Sequence, residues 1–600
     1  MTTSVATAGA RGQARARRRL ELRPALAAAA VLAGYAGLAL LLFGETWRDP
    51  GHRIVGGHGD GEASIWYLTW APWALAHGQS PLLTHQMGFP AGANLLWHTP
   101  QTLTALLAWP VTAVAGPVIA YNAMMTLGPA LSGWCAFLVI RRHVATRLPA
   151  ILGGLLYGFS PYVLAHAVGH LNLTTVWIPP LLLLVLDEVL VRQRRSALLG
   201  GAAVGVLATC QLFISEELLA SEALVAAVAV AVLAALHRGE VATRLPHALR
   251  ALAAAAGIVA VLGGWAVAIQ FLGAQRVHGG VQPPGIYVTD LLNLVVPTDV
   301  QRLAPPAALD ISSRFTGNGS EQNGYLGIPL ILVLLAVAIR HRDRPLVRFA
   351  ALTGLLVAVL SLGPTLHVAG HATRIPLPEA PISHTPIIAN LLPSRLMLYA
   401  FLFAALLVAV FVEEMRRRPA TAAAGALLLA SAGAALFPRL PFPSTPVSTP
   451  EFFTGGAVRQ IPQDEVALLA PYVRGAIPDE PMLWQALSGM RFRMPEGYFQ
   501  GPDRTGLRIY GPPPSATSGA MEAIWATGVA QPLTGDLRRR IAADLDAWQV
   551  RDILVGPMPH RREMTAFMTA LTGRPPVESG GVAVWTHVAP RLLATAPRAG

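Results

Sequence analysis

The stretch Gly56-Gly57-His58-Gly59-Asp60-Gly61-Glu62-Ala63-Ser64-Ile65-Trp66-Tyr67-Leu68-Thr69-Trp70 sets two carboxylates among glycines, directly before an aromatic run. Glycine lets backbone approach a substrate closely, so Asp60 and Glu62 are candidate site residues. The competing reading is a solvated turn capped by Asp60. Ile65, Trp66, Trp70 and Trp73 suit a helix that lies at a bilayer surface.

Other polar groups stand at the ends of apolar blocks. His77, His85 and His98 follow in the same segment, and His166 and His170 have the i, i+4 spacing of two zinc ligands. The intervening Ala-Val-Gly lacks the glutamate of a zinc protease, so no metal site is assigned and His170 is read as structural or substrate-contacting. Glu216 and Glu217 close one apolar block, and Glu222 lies within the next, where an isolated carboxylate must face a cavity or a partner. Glu321 precedes Asn323-Gly324-Tyr325-Leu326-Gly327 at the start of another block, where helix capping competes with a substrate role for Glu321 and Tyr325. Arg395, in Pro393-Ser394-Arg395, sits at the opposite end of its helix from the other arginines, with snorkelling to headgroups as the alternative to ligand binding.

The elements that must position these groups are membrane helices. Of 600 residues, 53% are hydrophobic and 13% charged, and the mean hydropathy is +0.48. The apolar residues cluster into blocks near the length of about 20 residues that spans a bilayer. No lysine occurs, which excludes a Walker A loop and Schiff-base chemistry. The net charge of +12 comes from short arginine clusters between apolar blocks, a topology signal rather than a nucleic-acid face. Cys135 and Cys210 both fall inside apolar blocks and read as small core residues.

Arg11, Arg15, Arg17, Arg18, Arg19 and Arg23 place residues 1–23 in the cytoplasm, ahead of a first span from Pro24 to Gly44. Residues 45–120 then form an external segment whose Leu103–Ala120 block is interfacial. Counting that block as a span would put Arg141, Arg142 and Arg147 on the wrong side. Further spans follow at 122–140, 148–165, 174–190, 197–214, 218–236, 251–272, 325–339, 349–362, 396–412 and 420–437, with external loops at 273–324 and 363–395. The sum is about eleven helices in a transmembrane region of 24–437, and every arginine cluster falls on one side. A Pro-rich linker at 438–450 leads to 451–600, whose soluble composition alternates helix (538–548, 562–572) with strand (550–556, 581–587), an extracytoplasmic α/β domain. The fold class is thus a polytopic α-helical membrane protein with a C-terminal α/β soluble domain.

In this order the motifs resemble the GT-C superfamily of polytopic glycosyltransferases. The resemblance rests on the Gly-Asp of the first loop, Gly-His-Leu-Asn at Gly169–Asn172, Gly-Tyr-Leu-Gly at Gly324–Gly327, Pro-Ser-Arg at Pro393–Arg395, and a span that ends in Arg141-Arg142. It implies transfer of a sugar from a polyprenyl-phosphate donor to an extracytoplasmic acceptor hydroxyl on a cell-envelope glycan, glycolipid or protein of a bacterial cell. Asp60 matches the family's acidic residue, which acts there as catalytic base, with Glu62 as understudy; Gly61 separates the two where many relatives have adjacent acidic residues, so the resemblance leaves the base open between them. Some branches bind a metal through this residue, so the resemblance leaves room for a divalent cation and assigns no other cofactor. Arg395 becomes the expected holder of the departing phosphate, and Glu321, Glu216, Glu217, His170 and Tyr325 the expected substrate contacts. A lipid or solute carrier or flippase using Glu222 is the alternative reading, and an envelope scaffold is a third.

Overall fold

The computed structural model describes residues 24–593 except 281, 284, 386 and 387. The arginine-rich stretch 1–23 lies outside the described residues. Among them, seven helices are long and apolar enough to cross a membrane: Pro24–Leu42, Pro117–Ile140, Arg147–His166, Ala197–Ile214, Glu216–Leu236, Arg238–Leu272 and Pro393–Arg417. Helices also form at the other expected spans, but shorter. Ile328–Arg340, Pro345–Ser361 and Ala420–Leu436 have 10–17 residues, and Ile178–Leu186 continues into a π-turn at Asp187–Arg192. The chain is a helical membrane protein. Leu41, Val261 and Ile339 are 70% or more exposed on their helices, an apolar surface that suits contact with lipid.

Met397–Arg417 is the central helix. It is apolar on all sides, and 94% of its apolar window is buried, as expected of a helix surrounded by others. Its last turns carry Glu413 and Glu414, which pair with Arg417 at 3.2 and 3.5 Å.

The interfacial reading of 103–120 meets a helix at Thr102–Ala115 that breaks at Gly116 before Pro117–Ile140 begins. The preceding helix, Asp60–Ala76, has twelve buried residues. It lies inside the protein and not on a lipid surface.

What buries it is the C-terminal region. Ala467–Ala470, Asp552–Val555, Val577–Ser579 and Val582–Trp585 form one sheet, in which Asp552–Val555 runs parallel to Ala467–Ala470 and antiparallel to Val582–Trp585. Successive strand residues point to opposite faces, and here both faces are apolar. Leu468, Ala470, Ile553, Val555, Ala583 and Trp585 pack under helices Gly535–Ala547 and Arg561–Thr572. Ala467, Leu469, Leu554, Val582 and Val584 belong to a second core, shared with Ile54, Trp66, Tyr67 and Trp70 of the segment after the first membrane helix. Trp66 Nε1 donates to Gln485 Oε1 at 2.5 Å, and Ala63 N donates to Asp479 Oδ2 at 3.0 Å. The Pro-rich stretch is likewise structured, since Ser444–Pro446 pairs antiparallel with Arg53–Val55. A region that reads as separate by composition is one body with the first loop, because each supplies the apolar face the other lacks.

Candidate active site

Asp60 opens its helix behind Gly59, whose φ of +114° suits a residue without a Cβ. Gly61 has a comparable role, since a Cβ there would come within 2.7 Å of Ile54 Cδ1. The Asp60 carboxylate does not cap the turn. Tyr498 OH donates to Oδ1 at 2.9 Å, and His170 Nε2 meets Oδ2 at 3.0 Å. The side chain stays 30% exposed, so a lone pair on each oxygen remains free for an incoming hydroxyl. Desolvation pulls the Asp60 carboxyl upward, but the His170 charge and the hydrogen bonds from His170 and Tyr498 outweigh it and hold it well below the usual carboxylate range. His170 moves the opposite way: burial opposes its charge, yet Asp60 raises its pKa above that of an ordinary histidine.

Behind His170 runs a polar chain. The i, i+4 spacing brings His170 Nδ1 to 3.4 Å from His166 Nδ1, so one ring nitrogen holds the proton and the other accepts it. On its far side His166 Nε2 meets Asn323 Nδ2 at 3.1 Å and Glu321 Oε2 at 4.0 Å. Glu321 accepts from Ser394 Oγ at 2.9 Å and from Arg395 Nε and Nη2 at 2.9 and 2.6 Å. Arg395 Nη1 pairs in turn with Glu217. Burial would raise the Glu321 carboxyl, but Arg395 and His166 bring it down to about 2.

Of the expected site residues, the structure therefore links Asp60, His170, Glu321, Arg395 and Glu217 in one network, with His166 as the bridge. Glu62 points elsewhere. It is fully buried and its Oε1 lies 2.8 Å from His58 Nδ1, beside Asp479, whose carboxyl is raised well above the ordinary range by burial and by the Glu62 and Glu480 charges. Glu216 accepts from Gln270 at 3.3 Å and stands outside the network. Tyr325 is buried with its ring against Gly327, and no hydrogen bond joins it to Arg395 among the described residues. Among those residues, too, no three His, Cys, Asp or Glu converge on a point that could hold a metal.

Tyr498 is the site residue that sequence reasoning missed. It comes from the C-terminal region, where the Tyr67 hydroxyl fixes its backbone carbonyl at 2.9 Å and His98 packs edge-on to its ring at 4.5 Å. Burial pushes His98 down to about 4, against the pull of Asp60, so at neutral pH it is an uncharged wall of the site. Tyr510 lies 5.8 Å from Tyr498 and accepts from Gln282 at 3.0 Å. His98, Tyr498 and Tyr510 thus form an aromatic cluster next to Asp60.

No curated protein matches the sequence. In structure the chain is similar to the oligosaccharyltransferase of Archaeoglobus fulgidus in its apo form, with 12% identity, a TM-score of 0.48, and coverage of 88% of this chain and 69% of that one. A complex of the same organism's oligosaccharyltransferase AglB with an inhibitory peptide and a dolichol-phosphate gives 11% identity, a TM-score of 0.48 and the same coverage. Arabinofuranosyltransferase AftD from Mycobacteria matches at 15% identity and a TM-score of 0.45, over 93% of this chain and 41% of that one. The family described as a domain of unknown function, DUF6311, matches residues 25–433, and the chain belongs to that family.

Proposed function

We propose that this protein is a membrane glycosyltransferase that moves a sugar from a polyprenyl-phosphate donor to an acceptor hydroxyl on the extracytoplasmic side. The observation that carries the reading is the partly exposed Asp60 carboxylate, fixed by one donor on each oxygen. In the reaction the acceptor oxygen bonds to the sugar's anomeric carbon, the bond from that carbon to the phosphate oxygen breaks, and the hydroxyl proton passes to the Asp60–His170 pair. Two hydrogen bonds orient the carboxylate before substrate arrives, which is what general base catalysis asks of geometry. Arg395 serves the site by fixing Glu321 behind His166, because its charge is already shared between two carboxylates. One feature favours the carrier reading instead: both oxygens of Glu222 are buried without a partner among the described residues.

The test is transfer by purified protein with Asp60→Asn, which keeps shape and loses the base. Turnover is expected to fall by about 10² to 10⁴ while the lipid donor still binds. Glu62→Gln is expected to stay within about tenfold of the parent, since His58 already engages that carboxylate. A normal rate for Asp60→Asn removes the base from this position.

A further inference from the structure

A neutral imidazole carries one ring proton, on Nδ1 or on Nε2, and its neighbours decide which. His166 and His170 face each other through their Nδ1 atoms at 3.4 Å, so their tautomers are tied together. The choice is made at the far end of the pair, by Asn323 of the Asn-Gly-Tyr-Leu-Gly stretch.

The order begins at a carbonyl. Asn318 Oδ1 accepts from Glu321 N at 3.2 Å and from Ser320 Oγ at 2.6 Å, and so builds the turn Gly319–Glu321, whose Ser320 O faces Asn323. A carbonyl has no proton to give, so the Asn323 amide turns its nitrogen there, and Nδ2 donates to Ser320 O at 2.9 Å. The same nitrogen stands 3.1 Å from His166 Nε2. An amide nitrogen is a donor only, so His166 Nε2 accepts and the ring's proton is on Nδ1. Glu321 Oε2, 4.0 Å from His166 Nε2, is too far to draw a proton there instead. Both oxygens of that carboxylate already accept, from Ser394 and Arg395. His166 Nδ1–H then donates to His170 Nδ1, which leaves the His170 proton on Nε2, 3.0 Å from Asp60 Oδ2. Every bond from Asn323 to Asp60 runs the same way. The opposite arrangement would set an N–H of His166 against the amide and a lone pair of His170 against the carboxylate, a loss at both ends. His166 and Asn323 are 0% and 1% exposed, so water does not compete for these positions, and Tyr162 packs edge-on against the His166 ring at 4.5 Å.

We propose that Asn323 is a positioning residue for Asp60: acting through His166, it keeps the His170 Nε2–H directed at the carboxylate, so that His170 orients the base and takes no proton from it. The proton lifted from the acceptor hydroxyl then stays on the Asp60 carboxyl until it leaves by that side chain's exposed edge. The inference rests on the proposed reaction for the role of Asp60, but its first test needs no transfer. Full-length protein carrying nitrogen-15 in its histidine rings is studied by NMR in micelles, with the pH raised until the His170 signals stop moving. His166→Gln and His170→Gln identify the two rings. Protonated and lone-pair ring nitrogens resonate far apart, so each tautomer is read directly. The parent is expected to hold the His166 proton on Nδ1 and the His170 proton on Nε2. Asn323→Asp, whose ionised carboxylate can only accept, is expected to move the His166 proton to Nε2. His170, then facing an acceptor on each side, should divide its proton between Nδ1 and Nε2. A parent with the His166 proton on Nε2 overturns the proposal, and this spectrum decides alone if the variant does not fold. A folded Asn323→Asp with both rings unchanged overturns it equally. In the transfer assay Asn323→Asp is expected to lose turnover severalfold with donor binding unchanged. If the tautomers move and the rate does not, the catalytic reading of Asp60 falls and the tautomer assignment stands; if the tautomers do not move, the assignment falls whatever the rate.

Discussion

Arg395→Met tests whether the arginine is a structural cation or a ligand for substrate. In the folded protein the Arg395 side chain is 14% exposed, Glu321 1% and Glu217 20%. Removing the arginine strands Glu321 in a site that water barely reaches, and breaking a buried pair from one side costs about 3–5 kcal/mol. Glu217 is wetter and adds little, so we expect the low end, about 3 kcal/mol. Glu321→Gln keeps an acceptor for Ser394 and removes the charge, so the double variant Arg395→Met with Glu321→Gln should regain about 2 kcal/mol of that loss. Reversible unfolding in mixed micelles, followed by tryptophan fluorescence, gives the four free energies of the cycle. If the single substitution costs under 1 kcal/mol, or the two costs add without coupling, Arg395 is free to act on substrate and the reasoning fails.

Three further outcomes are expected. Tyr498→Phe deletes one hydrogen bond to a charged oxygen and should lower transfer about tenfold with little change in donor binding; unchanged turnover would remove Tyr498 from the site. The raised pKa of His170 means that the His170–Asp60 pair contributes stability below the ordinary histidine range and loses it as pH rises through the folded value. His170→Gln should therefore flatten the decline in melting temperature on the alkaline side, and a parent profile with no such decline contradicts the pairing. Reporter fusions after Arg195, Arg344 and Arg418 should read cytoplasmic and those after Ser80, Asp310 and Thr449 external; a cytoplasmic signal at Thr449 would invert the proposed placement of the C-terminal region.

The sequence carried the helices well because hydropathy and arginine clusters are local signals, read within one turn or one loop. Seven long helices stand where the apolar blocks do, and the shorter ones begin or end at Pro and Gly: Ile328–Arg340 opens after Gly327 with Pro329 in its first turn, and Pro345–Ser361 opens on proline. Asp60, Glu321 and Arg395 were each visible as an oddity of placement. Their relations were not. Arg395 is 74 residues from Glu321 and 178 from Glu217, and no periodicity encodes such a meeting, so an arginine held by two carboxylates looked the same in sequence as one waiting for a phosphate. Tyr498, 438 residues from Asp60, offered no signal at all, being one aromatic among several in a soluble-looking stretch. The amphipathic reading of Ile65, Trp66 and Trp70 failed for a related reason. Exposed aromatics at a bilayer and aromatics awaiting a sheet have the same pattern.

The docking of the first loop onto the C-terminal sheet also imposes a timetable on biogenesis. Trp66 and its partner Gln485 are 419 residues apart, a distance that takes a ribosome roughly 20–80 s to cover. Throughout that interval the bundle can insert helix by helix, while the Trp66–Trp70 stack and Tyr67 wait without the surface that will enclose them. A nascent chain paused before Gln485 therefore displays an inserted bundle beside an unclosed aromatic face, a natural target for chaperones and proteases. Asp60 acquires its Tyr498 partner only when nearly everything else is built, so the proposed base is fully oriented last.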